Sequence, residues 1–93
     1  MIQLFLTGVQ EKNSNRKTFV INELESYDTI RSLKLIVSNK FNIPYNVFYL
    51  IYSGKMLADQ KTLSDYNLES ECSIQVIFRA GAAKPVVINP PYN

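Results

Sequence analysis

The sequence predicts an α+β fold, in which short strands precede and follow one amphipathic helix. Residues 2–6 and 74–78 place their side chains alternately on two faces, with isoleucine, leucine and valine concentrated on one of them. This alternation is typical of a strand with one buried face. Between these stretches, apolar residues recur at helical spacing from Ile30 to Phe41. We therefore expect a sheet that packs one face against a helix and leaves the other face in water.

Length and composition indicate one globular domain. The chain has 93 residues, of which 46% are hydrophobic and 19% are charged, a composition that folds rather than remains disordered. We predict that the domain covers residues 1–79. The stretch 80–93 contains glycine, alanine and prolines without a periodic pattern, and it is predicted to be a flexible tail or linker.

The charge and cysteine content exclude several classes of function. The net charge is only +2 and the basic residues are scattered, which does not favour nucleic-acid binding. Cys72 is the only cysteine and histidine is absent, so neither an internal disulfide nor a Cys/His zinc site can form. No apolar run reaches the roughly 18–20 residues that a membrane span needs. We expect no cofactor, no metal ion and no membrane contact.

The second predicted strand, which ends at Leu24, has two possible arrangements. Plain alternation counted back from the helix would place Val20 on the face of Leu24 and turn Phe19 and Ile21 toward solvent. A bulge near Asn22-Glu23 would allow the three large apolar residues to face inward together. We favour the bulge. The polar stretch 9–17 before this strand is interpreted as a hairpin loop, with or without a role of its own.

The helix has recognisable start and stop signals. Thr29 is the predicted N-cap, because its hydroxyl can accept a hydrogen bond from a first-turn N–H. Asn42 is suited to a left-handed conformation at the C-terminus, and Pro44 prevents the helix from continuing. The apolar stripe between these signals consists of Ile30, Leu33, Val37 and Phe41.

After the helix, residues 47–52 predict a third strand, with Leu50 on one face and Tyr49 and Ile51 on the other. Ser53-Gly54 marks a turn, since glycine readily adopts positive φ. Residues 55–57 predict a short return strand, and residues 62–68 (TLSDYNL) a compact polar corner. The last predicted strand covers residues 72–79.

The order of strand end, glycine turn, lysine, short strand and TLSDYN corner resembles ubiquitin. The TLSDYN run is identical to that family, and the helix opening Asp28-Thr29-Ile30 and exit Ile43-Pro44 match it at the same spacing. The resemblance covers roughly residues 2–79, with a longer first loop. It implies the β-grasp fold, a mixed sheet of four or five strands over one helix in the order β-β-α-β-β.

The resemblance also implies a protein-binding surface on the open face of the sheet. Ile51 and Ile77 match the two central apolar residues of the surface patch that most ubiquitin receptors bind. The other residues implied for this patch are Tyr49, Gly54, Lys55, Gln75, Arg79 and, from the first loop, Val9. Scattered surface isoleucines are common, but two that adjoin each other within a polar ring favour an interaction site.

Three further residues match family positions where a structural role is implied. Lys34 is expected to project from the buried side of the helix toward Asp59, since a buried ammonium needs a partner. Tyr66 is expected to anchor the polar corner through its hydroxyl.

The end of the resemblance departs from ubiquitin. A modifier of this family ends in Arg-Gly-Gly, whereas this chain has Arg79-Ala80-Gly81-Ala82-Ala83 followed by further residues. The resemblance therefore implies a ubiquitin-like domain that is not conjugated. Two alternatives stay open: a covalent modifier processed to expose Gly81, and a regulatory domain of a ubiquitin ligase or deubiquitinase.

These observations predict a non-catalytic interaction module. With no histidine in the chain, Cys72 has no imidazole base to activate it. The expected partners are ubiquitin-binding proteins, including receptor helices, proteasome subunits and ligase or deubiquitinase components. We expect a monomer located in the cytoplasm, the nucleus or both, which recruits a host protein to the proteasome or other ubiquitin-pathway receptors.

Overall fold

The computed structural model describes residues 1–8 and 18–79. The strands are β1 (Ile2–Thr7), β2 (Thr18–Leu24), β3 (Phe48–Tyr52), β4 (Lys55–Met56) and β5 (Ser73–Phe78), the helix is α1 (Ile30–Phe41), and 3₁₀ turns cover Tyr45–Val47 and Ser64–Tyr66. The predicted tail at 80–93, its boundary with the domain, and the predicted first loop at 9–17 lie outside the described residues.

The five strands form one mixed sheet in the spatial order β2-β1-β5-β3-β4. The central strands β1 and β5 run parallel, whereas β1–β2, β3–β5 and β3–β4 are antiparallel pairs. Buried side chains of α1 and of the sheet belong to one hydrophobic cluster, so the helix covers one face. The predicted β-grasp architecture is confirmed. The short return strand after the glycine turn, β4, is part of the sheet and brings it to five strands.

The bulge expected in β2 is present. Ile2 pairs with Leu24, but Leu4 pairs with Ile21, so β2 holds one more residue than β1 over this stretch. The extra residue changes the parity of the strand. Phe19 consequently faces the core together with Ile21 and Leu24. Its ring contacts that of Phe41 edge-on, with ring centroids 4.8 Å apart.

The helix begins and ends where its sequence signals predict. The Thr29 hydroxyl accepts a hydrogen bond from the Ser32 N–H at 3.2 Å. At the other end, Asn42 adopts φ 57°, and its own N–H donates to the Ser38 carbonyl. The apolar stripe is fully buried against the sheet. This packing fixes α1 on one face of the sheet, the inner face. Among the described residues, no helix covers the opposite, outer face of β3 and β5.

The polar corner locks the segment after β4 against the start of α1. Its two leucines, Leu63 and Leu68, are buried. The Leu63 N–H donates to the Asp28 carbonyl at 2.9 Å, and Thr29 forms an isolated bridge with Thr62. These backbone contacts hold the start of α1 in place against the corner.

Gly8 ends β1 at a point of close backbone approach. It adopts φ +99°, and a Cβ atom there would collide with the carbonyl oxygen of Val76. Only glycine satisfies both the conformation and the space. Within the described ranges, α1 is the longest helix, and no helix there is long and apolar enough to cross a membrane.

Candidate functional site

The outer face of β3 and β5 carries the residues predicted to form an interaction surface. Leu50 in β3 is fully buried, and strand alternation therefore turns Tyr49 and Ile51 to the opposite side. In β5, Ile74 and Val76 are buried in the same way, so the side chains between and after them point outward. The sequence-predicted parity of both strands agrees with this burial pattern.

Register brings four of these side chains into one group. Tyr49 pairs with Ile77 and Ile51 pairs with Gln75 across the β3–β5 ladder. We call these four residues the outer-face quartet. Ile51 and Ile77 are therefore diagonal neighbours rather than a direct pair. Diagonal neighbours in an antiparallel ladder lie about 7–8 Å apart, within reach of branched side chains.

The two isoleucines are less exposed than the sequence suggested. Both are half-buried, as is Tyr49, whereas Gln75 is exposed. Their exposure is reduced because each isoleucine has a large side chain directly across the ladder. Tyr49 lies opposite Ile77, and Met56 lies opposite Ile51. The two isoleucines thus form an apolar surface together with Tyr49 and Met56, and they are not isolated side chains.

Met56 is a surface residue that the sequence analysis did not assign. It pairs with Ile51 in the β3–β4 ladder, and 59% of its surface is exposed. Lys55, which the sequence analysis placed around the patch, instead pairs with Tyr52 and is exposed at the end of the hairpin. The signal that could have found Met56 was the length of the turn, since a two-residue turn fixes which residues face each other.

The turn between β3 and β4 has the geometry of a tight hairpin. Ser53 and Gly54 adopt φ 54° and φ 81°, so both central residues are left-handed, as in the primed turns that fit the twist of paired strands. Both residues are exposed. Gly54 thus lies in the exposed turn that joins Tyr52 of β3 to Lys55 of β4.

Arg79 lies at the opposite end of the surface. Its Nε donates a hydrogen bond to the Asn46 carbonyl at 2.9 Å, and its guanidinium carbon lies 5.9 Å from the centre of the Tyr49 ring. The side chain is exposed. This arrangement positions a cation beside an aromatic ring of the quartet, where it can meet a carboxylate of a partner.

Val9, the last predicted contact residue, lies outside the described residues. The neighbouring outward-facing residue of β1 is Thr7, which pairs with Gln75 in the parallel ladder. The described part of the first hairpin therefore adds a polar threonine to the side of the quartet.

Lys34, one of the predicted structural residues, lies inside the domain with only 4% of its surface exposed. Its Nζ is 3.9 Å from an Asp59 oxygen and 4.2 Å from the centre of the Tyr45 ring. Burial lowers the pKa of Lys34, while the charge of Asp59 opposes that shift and that of Arg79 adds to it. The Tyr45 hydroxyl donates a hydrogen bond to the Asp59 carboxylate. The sequence alone did not predict this contact.

Tyr66 anchors the corner through its hydroxyl, which accepts a hydrogen bond from the Ala58 N–H at 2.9 Å. The corner and the buried lysine are separate from the outer-face quartet, because their contacts lie on the inner side of the sheet. They involve α1, the rings of Tyr45 and the buried Phe48, and the segment after β4.

Cys72, the single cysteine of the chain, lies beside a tyrosine hydroxyl. Cys72 is half-buried, and its sulfur lies 3.2 Å from the Tyr52 hydroxyl and accepts from the Glu69 N–H. The Cys72 contact raises the pKa of Tyr52. Across residues 1–8 and 18–79, no three His, Cys, Asp or Glu side chains cluster closely enough to hold a metal ion.

The β-grasp sheet, the buried helix and the TLSDYN corner together define a ubiquitin-like domain. Residues 9–81 match the sequence profile described as Ubiquitin family. The chain belongs to the ubiquitin family.

Curated relatives carry the same domain within longer chains. Ubiquitin-like protein 4A-A of Salmo salar is 38% identical over 52 residues, which cover 56% of this chain and 34% of the relative. Ubiquitin-like protein 4A of Rattus norvegicus is 36% identical over 52 residues, or 56% and 33% of the two chains. Ubiquitin-like protein 4B of Bos taurus is 33% identical over 57 residues, or 61% and 34%. The matched segment thus spans about a third of the length of these relatives.

Proposed function

We propose that this chain is a non-catalytic interaction module that binds ubiquitin-pathway receptors through the outer-face quartet. The observation that carries the proposal is the placement of Ile51 and Ile77 as diagonal neighbours on the uncovered sheet face. Membership of the ubiquitin family supports it, because the resemblance implies that receptors use these two positions.

The proposed receptors are ubiquitin-binding proteins, including proteasome subunits and components of ligases or deubiquitinases. The module acts as a monomer in the cytoplasm or nucleus and brings a host protein to them. Support for a host comes from the relatives, in which the matched segment occupies about a third of the chain.

The proposal is tested by titrating the chain with purified helical ubiquitin-binding domains. Ile51→Ala and Ile77→Ala each remove part of a desolvated anchor, which typically costs about 1–2 kcal/mol of binding, or roughly tenfold or more in affinity. Leu35→Ala is the matched control, because this aliphatic residue is 41% exposed on α1, on the other side of the sheet.

Two results would contradict the proposal. One is that both isoleucine variants fold normally, judged by thermal melts, and bind as tightly as the wild type. The other is that Leu35→Ala weakens binding as much as they do, which would place the contact on the helix.

A further inference from the structure

Met56 extends the outer-face quartet across the edge strand of the sheet. It lies opposite Ile51 on β4, which is the last strand in the order β2-β1-β5-β3-β4. Its exposed fraction of 59% is large for an apolar residue in a strand. Methionine is flexible and polarisable, and it adapts its shape to apolar partners. It therefore adds an adjustable apolar contact next to Ile51 and Ile77, whose β-branched side chains are stiff.

The spacing of the three aliphatic residues along this surface matches a helix. Strands lie about 4.8 Å apart and two residues along a strand cover about 6.7 Å. Ile77 and Ile51 are then about 8 Å apart, and Ile77 and Met56 about 12 Å. The helix positions i, i+4 and i+7 span about 10.5 Å at a rise of 1.5 Å per residue. The quartet alone thus fits two apolar residues of a partner helix, and Met56 provides contact for a third.

The charges at this surface define the other property of the partner. Arg79 stands beside Tyr49 at the end of the surface away from Met56, and it is exposed. Strands β3, β4 and β5 contain no aspartate or glutamate. A helix with a carboxylate at the end of its apolar stripe that meets Arg79 complements this distribution.

We infer that Met56 is a specificity-determining contact, which selects amphipathic partner helices with three apolar residues at i, i+4 and i+7 and an acidic residue at the end that meets Arg79. The inference rests on the proposed function and names the partner class for the same surface. Met56 discriminates between partners by their third apolar residue, while Ile51 and Ile77 supply the binding that all partners share.

The test is calorimetric titration of the chain with synthetic helical peptides. The first peptide has leucines at i, i+4 and i+7 with a glutamate at the end that meets Arg79. In two further peptides, serine replaces one or the other terminal leucine. Wild type should bind the three-leucine peptide about tenfold more tightly than the peptide that lacks the leucine facing Met56. Met56→Gln should abolish this tenfold difference, and Met56→Leu should retain it.

Several results would overturn the inference. The first is a tenfold difference that persists in Met56→Gln. The second is equal binding of a peptide with lysine in place of the glutamate, and the third is equal binding of a peptide interrupted by proline, which would indicate a non-helical partner. If wild type binds none of the peptides, the inference and the proposed function both fail.

Ile51→Ala separates the two levels of the proposal. If the peptides with two leucines bind this variant as tightly as wild type, the proposed function is wrong. If Ile51→Ala weakens their binding but Met56→Gln leaves the tenfold difference unchanged, only the role of Met56 is wrong.

Discussion

The ammonium of Lys34 lies 3.9 Å from the carboxylate of Asp59, and this pair ties α1 to the segment that follows β4. The lysine side chain is 5% exposed and that of the aspartate 39%. The rings of Tyr45 and Phe48 lie 4.2 Å and 5.1 Å from the same ammonium. The charge is thus held by one half-exposed carboxylate and two aromatic faces, which partly replace its lost hydration.

Asp59→Asn should destabilise the domain, because it leaves the Lys34 ammonium buried without a carboxylate. A loss of about 1–3 kcal/mol in the free energy of unfolding is expected, at the lower end of buried pairs because Asp59 is partly solvated. Urea unfolding measures it. The exposed carboxylate of Glu23 provides a control, and Glu23→Gln should change stability by less than about 0.5 kcal/mol.

A second variant distinguishes charge burial from loss of packing. Lys34→Met combined with Asp59→Asn removes the buried charge as well as its partner, so it should be more stable than Asp59→Asn alone. A double variant that is less stable than the single one would show that the ammonium itself stabilises the fold.

Tyr45 should make stability depend on pH at the alkaline end. Burial, followed by the hydrogen bond to Asp59 and its charge, raises the pKa of Tyr45 from 10.0 to about 12. Between these values the folded state keeps a proton that the unfolded chain loses, so this tyrosine's contribution falls as the pH rises through the window. Tyr45→Phe has no such proton. The stability difference between wild type and variant should therefore be constant below pH 10 and shift against wild type toward pH 12. A difference in urea midpoints that stays constant over this range would contradict the assignment.

Local sequence signals predicted most of the fold. The helix limits followed from Thr29 and Asn42. The threonine side chain suits the N-cap position, and asparagine readily adopts the left-handed backbone that ends a helix. The bulge in β2 followed from burial alone, because an unbroken strand would have exposed Phe19 and Ile21. These features depend on residues close in sequence, or on whether a large apolar side chain faces the core or the solvent.

The candidate surface was predicted less completely, because it depends on register between strands. Alternation gave the outward direction of Ile51 and Ile77, but it could not show that Met56, rather than Lys55, faces Ile51. The hydrogen bond from Tyr45 to Asp59 also escaped prediction. It joins residues brought together by two turns whose exact paths a single sequence does not determine.

Gly8 should tolerate no side chain, whereas Gly54 should tolerate one at modest cost. A Cβ at Gly8 would collide with the backbone of Val76, and the residue has φ +99°. At Gly54 the space is open, and only its φ of +81° opposes a side chain. Gly54→Ala should therefore cost about 1–2 kcal/mol, the usual penalty of a left-handed conformation. Gly8→Ala should cost more than this, because β1 and β5 must separate to relieve the clash.

Thermal and urea unfolding of the two alanine variants measure the difference. Equal losses at both positions would mean that backbone conformation alone determines the cost, and that β1 and β5 approach each other less closely than the structure shows.

The two faces of β5 should respond differently to the same truncation. Ile74 is fully buried against the helix side of the sheet, whereas Ile77 is half-buried on the outer face. Ile74→Ala should leave a cavity and cost about 2–5 kcal/mol of unfolding free energy. Ile77→Ala should cost about 1 kcal/mol, since water fills the space that the side chain leaves. Urea denaturation at one temperature measures both. Because the substitution and the strand are the same, the comparison isolates burial. If Ile77→Ala destabilises the domain as much as Ile74→Ala, Ile77 belongs to a packed core, and any loss of receptor binding in this variant would reflect unfolding rather than a lost contact.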